Sequence, residues 1–358
     1  MTKNDWLAIG YEKNIIDNSC CGISFRDTFI LVQSEKGKYF SDAEKLVSVQ
    51  NTVNRDWSFY RRYFADTDFE NMPLDSISKK DIEDITYFNL TRYSLRIKGL
   101  KALKGILHSV FAYAYTEWGL SDDAYRRVDF SKFYGLIAKN VPIEERAHSD
   151  FDLGRIMEFL HAKQHDKPFY IPAYALEMQI LTGLRRGEIP PLLVSDIHAD
   201  YVSISREQLT VKRNGDIKEH FVIVNHTKNG KNRHFPMTDD LLNFFSRYGK
   251  IRKKIYVGND FLFPADTENG CISNNVVYRL YYRICKELSI DICKDCIRGT
   301  HSFRRNAITD FVNASNGNII LASQIFGNSP EVALQNYFVG ADVSMAIDVL
   351  NSRRFYFN

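Results

Sequence analysis

Between about Asp42 and Phe130 the apolar residues fall three and four apart, with Trp57, Tyr60 and Phe64 followed by the run LKALKGILHSVFAYAYTEW, a spacing that predicts a small bundle of amphipathic helices. The residues before it keep no single period. There, CCGISFRDTFILVQSEKGKYF reads as a short strand pair turning at Glu35-Lys36-Gly37. The stretch from Tyr134 to His148 is polar and carries Pro142, which marks a domain boundary. Beyond it helical spacing returns at 150–163 and 172–182. Strand signals follow in YVSIS and in QLTVKRNGDIKEHFVIVNHTKNGKNRHFPM, and helices resume at 239–248, 274–288, 301–313, 318–325 and 330–338. The pattern is mainly α with a small antiparallel β-sheet in the C-terminal domain. Three segments are expected: an extension over 1–46 with no assignable role, a helical domain over 47–140, and a larger domain over 141–358.

A chain of 358 residues with 44% hydrophobic content supports two globular domains. A net charge of +3 is only mildly basic and permits a nucleic-acid partner without requiring one. No stretch approaches the ~18 apolar residues of a membrane span, and MTKNDWLAIGYEKN carries no signal-peptide pattern, so a soluble, cytoplasmic protein is expected. Cys293 and Cys296 form a C-x-x-C pair without a second ligand pair at zinc-site spacing, which favours reduced thiols over a metal. One basic concentration stands out in RYSLRIKGLKALKG, with Arg92, Arg96, Lys98, Lys101 and Lys104. It is either a solvated helix face or a surface that meets phosphates.

Four motifs carry candidate chemistry. In QILTGLRRGEIPPLL an apolar helix ends at Thr182-Gly183, and Arg185 follows on that corner, either clamping a phosphate with Glu188 orienting the fork or the helix start, or forming a surface salt bridge. In VNHTKNGKNRHFPM the Asn229-Gly230 turn signal puts Lys228 at the tip of a two-stranded ribbon. In GTHSFRRNAITDF, Thr300 is a plausible N-cap for a helix whose Phe303, Ala307 and Phe311 form the core stripe, leaving His301 and Arg304 turned away from it. In IFGNSPEVALQNYFVG, Pro330 and Glu331 suit a first helical turn, and Val332, Leu334 and Tyr337 are either buried apolar positions or the frame of a nucleophile.

In this order Arg185, Lys228, His301 with Arg304, and Tyr337 resemble the signature of the tyrosine recombinase or phage integrase family: T-G-L-R-x-G-E, a hairpin lysine, H-x-x-R opening a helix, and a tyrosine beyond a G-H or G-W step. The resemblance covers about residues 145–340. It implies a helical core-binding DNA-binding domain at 47–140, a catalytic tyrosine recombinase domain with a C-terminal tail at 141–358, and a possible remnant of an arm-type DNA-binding domain at 1–46. It also implies site-specific cleavage and rejoining of DNA, with Tyr337 as nucleophile forming a 3'-phosphotyrosyl link. Arg185 and Arg304 would clamp the non-bridging oxygens, His301 would assist proton transfer, Lys228 would protonate the leaving 5'-oxygen, and Glu188 would support them.

Because the phosphotyrosine conserves the bond energy, the resemblance calls for no cofactor and no metal. The implied partners are double-stranded DNA, further copies of the chain in a synaptic tetramer, and accessory directionality or DNA-bending factors, with the protein at the nucleoid and no membrane. Asn328 departs from the usual His or Trp, where it either donates to a phosphate oxygen in their place or merely caps the helix of Pro330 to Tyr337, and Pro190-Pro191 shortens the helix after the first motif. The tail DVSMAIDVL reads as an amphipathic helix capped by Asp342, a segment that in this family docks on a neighbouring protomer. A type IB topoisomerase, which reseals the strand it cuts, and a non-catalytic DNA-binding regulator are the alternative readings.

Overall fold

The computed structural model describes residues 22–120, 122–142, 144–211, 220–227, 230, 232–292, 298–336 and 347. The chain divides into two compact units, Met1–Asn140 with Val211–His220, and Val141–Thr210 with Phe221–Asn358.

In the first unit the helices are α1 (Phe25–Glu35), α2 (Ala43–Tyr63), α3 (Lys79–Tyr93) and α4 (Ile97–Trp118), with a single turn at Asp68–Asn71. Local chemistry fixes their starts. Ser24 caps α1, Asp42 caps α2, and Ser78 with Asp81 makes a reciprocal capping box on α3. The strand pair expected around Glu35-Lys36-Gly37 is absent, because Ser24 starts a helix whose Phe25, Thr28, Phe29, Val32 and Gln33 are buried at helical spacing. β-branched and aromatic residues there mimic a strand. Phe25 and Phe29 are fully buried in one core with Tyr60, Leu103 and Phe111, and Phe29 stacks on Tyr60 at 4.3 Å. The stretch before residue 47, expected as a separate extension, thus supplies α1 to the helical unit; residues 1–21 lie outside the described residues.

The second unit is organised around α6 (Ile171–Thr182), which α5 (Asp150–Asp166), α7 (Asp239–Arg252), α8 (Asn274–Glu287) and α9 (His301–Ala314) all touch. Because neighbours surround it, α6 is apolar nearly all round, from Ala173 through Met178. Its one acid, Glu177, is buried and accepts from Gln164 at 2.6 Å, from His161 and from Arg247. Two short helices, α10 (Ile319–Phe326) and α11 (Pro330–Asn336), complete the unit.

The strands are β1 (Tyr201–Ile204), β2 (Glu207–Val211), β3 (His220–Val224) and β4 (Arg233–Pro236). They form two two-stranded sheets, β1 with β4 and β2 with β3. β1 and β4 run antiparallel in the register Val202↔Phe235 and Ile204↔Arg233, and these four residues face inward. Among the described residues the strands either side of Lys228 do not pair with each other: β3 pairs with β2 and β4 with β1. Lys228 and Asn229 lie outside the described residues; at Gly230 the chain has φ of 66° and its N–H donates to the Thr227 carbonyl at 2.7 Å.

Candidate active site

Thr182-Gly183-Leu184-Arg185 leaves α6 through a sharp corner. Gly183 has φ of 59°, and a Cβ there would stand 2.7 Å from that of Ala307 on α9, so both backbone and space demand glycine. Close approach to α9 is the consequence. The Gly183 carbonyl then accepts from Arg304 Nη1 at 3.1 Å. After the corner, Arg186–Glu188 makes one 3₁₀ turn that Pro190 and Pro191 prevent from extending.

Glu188 is fully buried and gathers the motif around itself. Its Oε1 accepts from Arg185 Nη1 at 2.9 Å and Arg233 Nη1 at 2.9 Å, while Oε2 accepts from the Arg185 backbone N–H at 2.8 Å and Arg233 Nη2 at 2.6 Å. Burial alone would raise its pKa. The charges of Arg233, Arg185 and Arg304, with the Arg233 hydrogen bonds, outweigh that and hold the carboxyl at about 2. Glu188 is thus ionised throughout the neutral range.

Arg185 directs its other terminal nitrogen, Nη2, to the Gly327 carbonyl at 2.7 Å and to Asn328 Oδ1 at 3.0 Å. Arg304 Nη2 reaches the same Oδ1 at 3.1 Å and also donates to the Phe326 carbonyl. Two donors on one side fix the amide orientation: the oxygen faces the arginines and Nδ2 faces away. Nδ2 is buried and has no hydrogen-bond partner among the described residues. The helix-capping alternative for Asn328 fails here, because it is Ser329 Oγ that accepts the Val332 N–H of α11, at 3.3 Å.

The sequence places Arg304 on a face turned from the core, but the structure buries it completely, between the Gly183 corner and the Phe326 ring at 5.7 Å. Polar neighbours rather than solvent receive its two terminal nitrogens, a partnership that helical spacing does not reveal. Thr300 is helical in backbone and makes no side-chain cap; at this end Gly299 N–H donates to Ser302 Oγ at 3.3 Å. His301, exposed at the first position of α9, lines a cavity of about 670 Å³ with Arg185, Arg186, Glu207, Asn328 and Val332. Val332 and Leu334, possible core positions in the sequence, are 41% and 55% exposed. The structure therefore brings together Arg185, Glu188, His301, Arg304 and Asn328; Lys228, Tyr337 and the tail residues Asp342 to Leu350, Ile347 apart, lie outside the described residues, as do Cys293 and Cys296.

Two residues of this region were given no role from the sequence. Arg233 is an inward arginine at a strand position where alternation calls for an apolar residue, and Arg186 stands over the Tyr278 ring at 5.4 Å while lining the cavity. On the first unit, Lys98 and Lys101 are exposed on α4 and Arg92 on α3, Arg96 and Lys104 are half-buried, and Lys104 lies over the Phe130 ring at 4.4 Å. No helix among the described residues is long and apolar enough to cross a membrane.

The geometry of Asn328 leads to a sharp expectation. Were Nδ2 to donate to a scissile phosphate, Asn328→Ala would remove a hydrogen bond to a charged group, worth about 1.5 to 3 kcal/mol, and slow DNA cleavage roughly tenfold to a hundredfold. Asn328→Asp keeps the oxygen that both arginines share but replaces the Nδ2 donor with negative charge, so cleavage should fall further. Single-turnover rates beside thermal melts decide this, and a normal rate in Asn328→Asp would remove Asn328 from the site.

The family model described as the phage integrase family matches residues 149–337, over half of the chain. No curated protein matches it in sequence. Among solved structures, the Tn1549 transposon integrase in complex with a circular intermediate DNA is similar with a TM-score of 0.65 and 17% identity over 92% of this chain and 99% of that one. A lambda integrase tetramer bound to a Holliday junction gives 0.58 and 15% over 87% of this chain and 76% of that one. The XerH site-specific recombinase bound to a palindromic difH substrate gives 0.52 and 12% over 90% and 89%. At such identities the structures speak for the fold, whereas the family match spans the motifs from Arg185 through Tyr337, and the chain belongs to the phage integrase family, the tyrosine recombinases.

Proposed function

We propose that the protein is a site-specific DNA recombinase that cuts and rejoins strands through a 3'-phosphotyrosyl intermediate, serving the integration or excision of a mobile element. The observation that carries this reading is the convergence of the Arg185 and Arg304 guanidinium groups on one acceptor, Asn328 Oδ1, beside a cavity lined by His301. Two planar forks aimed at one oxygen suit a phosphate better than a single ion pair does. In this reading a scissile phosphate takes over donors that Asn328 now satisfies. The Tyr337 oxygen attacks phosphorus, the bond from phosphorus to the 5'-oxygen breaks, and Lys228 gives that oxygen its proton. His301 assists removal of the tyrosine proton and binds phosphate. A 5'-hydroxyl from a second DNA end then reverses the steps and frees Tyr337.

The test is covalent capture. Nicked duplexes bearing candidate attachment sequences should yield a protein–DNA adduct that survives denaturation, because the broken strand loses the 5'-hydroxyl needed for resealing. Absence of an adduct across the candidate sites would overturn the reading, and relaxation of supercoils without intermolecular products would mark a topoisomerase-like enzyme instead.

Double-stranded DNA is the proposed partner, and the helical unit is proposed to hold its backbone. Supporting this, Lys98 and Lys101 stand exposed one turn apart on α4, near the exposed Arg92 of α3 in sequence. Exchanging Lys98 and Lys101 for Gln should weaken binding equally for all sequences and lower the slope of log affinity against log salt by roughly 0.9 per lost phosphate contact. An unchanged slope in a salt titration would return both to the solvated face. Self-association on DNA, as in the lambda integrase tetramer, is proposed through the C-terminal region. There α10 and α11 pack on each other while leaving Ile320, Leu321, Val332 and Leu334 exposed.

A further inference from the structure

Glu188 presents a physical difficulty for a phosphate clamp. Arg185 and Arg304 bring two positive charges to the site, and a carboxylate 2.9 Å from Arg185 Nη1 would cancel about half of their field just where negative charge develops on the phosphate. It would also leave two of its own four acceptor positions unsatisfied in a fully buried place.

Arg233 resolves both. It enters from β4, in register with Ile204, so strand alternation turns it inward beneath the first motif. Its two terminal nitrogens fill the remaining positions on Glu188 at 2.9 and 2.6 Å, and its Nε donates to the Ile325 carbonyl at 3.0 Å. Its stem passes the turn that presents Asn328: a Cβ on Gly327, where φ is 67°, would stand 3.0 Å from Arg233 Cδ. The side chain is 6% exposed and is not among the residues lining the cavity.

We propose that Arg233 is a positioning residue of the recombinase site, acting through Glu188: it neutralises that carboxylate so that the Arg185–Arg304 clamp keeps its full charge, and it ties the Arg185 corner to the Ile325–Asn328 turn. The inference rests on the recombinase reading of the site. Arg233 touches no substrate. It differs from a merely structural ion pair in one respect, that its loss is repaired by removing the charge it offsets.

The experiment compares single-turnover cleavage, DNA affinity and melting temperature for the wild type, Arg233→Gln, Arg233→Lys, Glu188→Gln and the Arg233→Gln/Glu188→Gln pair in the full chain. Arg233→Gln should slow cleavage about a hundredfold with DNA affinity within threefold of wild type, because it leaves Glu188 uncompensated beside Arg185. The double variant should regain at least tenfold over Arg233→Gln. Arg233→Lys, which keeps the charge without the fork, should fall between Arg233→Gln and wild type. Cleavage by Arg233→Gln within threefold of wild type, or no regain in the double variant, overturns the proposal. Should Arg233→Gln not fold, Arg233→Lys carries the test: a loss beyond threefold sustains it and a smaller one overturns it. A wild-type protein that forms no adduct in the same assay refutes the recombinase reading itself, a different outcome from variants that all cleave alike.

Discussion

Tyr337→Phe should abolish the covalent protein–DNA adduct while leaving folding and DNA affinity near wild type. The substitution deletes one oxygen and keeps the ring, so whatever packing the side chain has is largely retained, but the atom that would bond to phosphorus is gone. No neighbouring group is expected to stand in. A free tyrosine hydroxyl has a pKa near 10, and the cationic set gathered by Arg185 and Arg304 is what would favour its phenolate in attack. Denaturing gels of nicked substrate mixed with each protein read the adduct directly, and band shifts at matched concentrations read affinity. An adduct at wild-type yield from Tyr337→Phe would show that another residue is the nucleophile. Loss of binding together with the adduct would instead place Tyr337 among the residues that hold the fold.

The helices of the second unit were legible because their apolar spacing, glycine stops and polar caps agree. Ile171–Thr182 is the clearest case, since the Gly183 termination that spacing suggests also brings Arg185 onto its corner. Where one local signal pointed the wrong way, tertiary packing decided. Phe25–Glu35 carries strand-like residues yet is a helix because its buried positions repeat at three and four and join the core of the helical unit. Arg304 was legible as a candidate site residue but not as a buried one, because a helix position cannot announce that Gly183 and Phe326 carbonyls will receive its guanidinium. Arg233 was illegible for the same reason in stronger form. Its role depends on β4 pairing with β1 rather than with β3, which residue order does not disclose, and on Glu188 arriving from a distant segment.

That buried state of Arg304 sets the size of the second effect. Arg304→Lys keeps formal charge, yet one guanidinium now spans the Gly183 carbonyl through Nη1 at 3.1 Å and both the Phe326 carbonyl and Asn328 Oδ1 through Nη2. A single ammonium nitrogen cannot stand at both places. Being compact and strongly hydrated, it also costs more to enclose at a site with no solvent exposure, and burial works against its charged form. Cleavage should drop by about a thousandfold or more, since removing one preorganised donor from a charge-stabilising site typically costs a hundredfold to a thousandfold and here a donor and its charge are both impaired. Thermal stability should fall as well, by about 1 to 3 kcal/mol for the carbonyls left without donors. Arg185→Lys separates the two losses. Its side chain is 11% exposed and an ammonium there can still pair with Glu188, so stability should suffer less while cleavage falls by a similar factor. Rates normalised to folded protein, measured beside melts for both variants, test this. Cleavage by Arg304→Lys within threefold of wild type would mean that Arg304 serves the fold alone, with Arg185 left as the only arginine of the clamp.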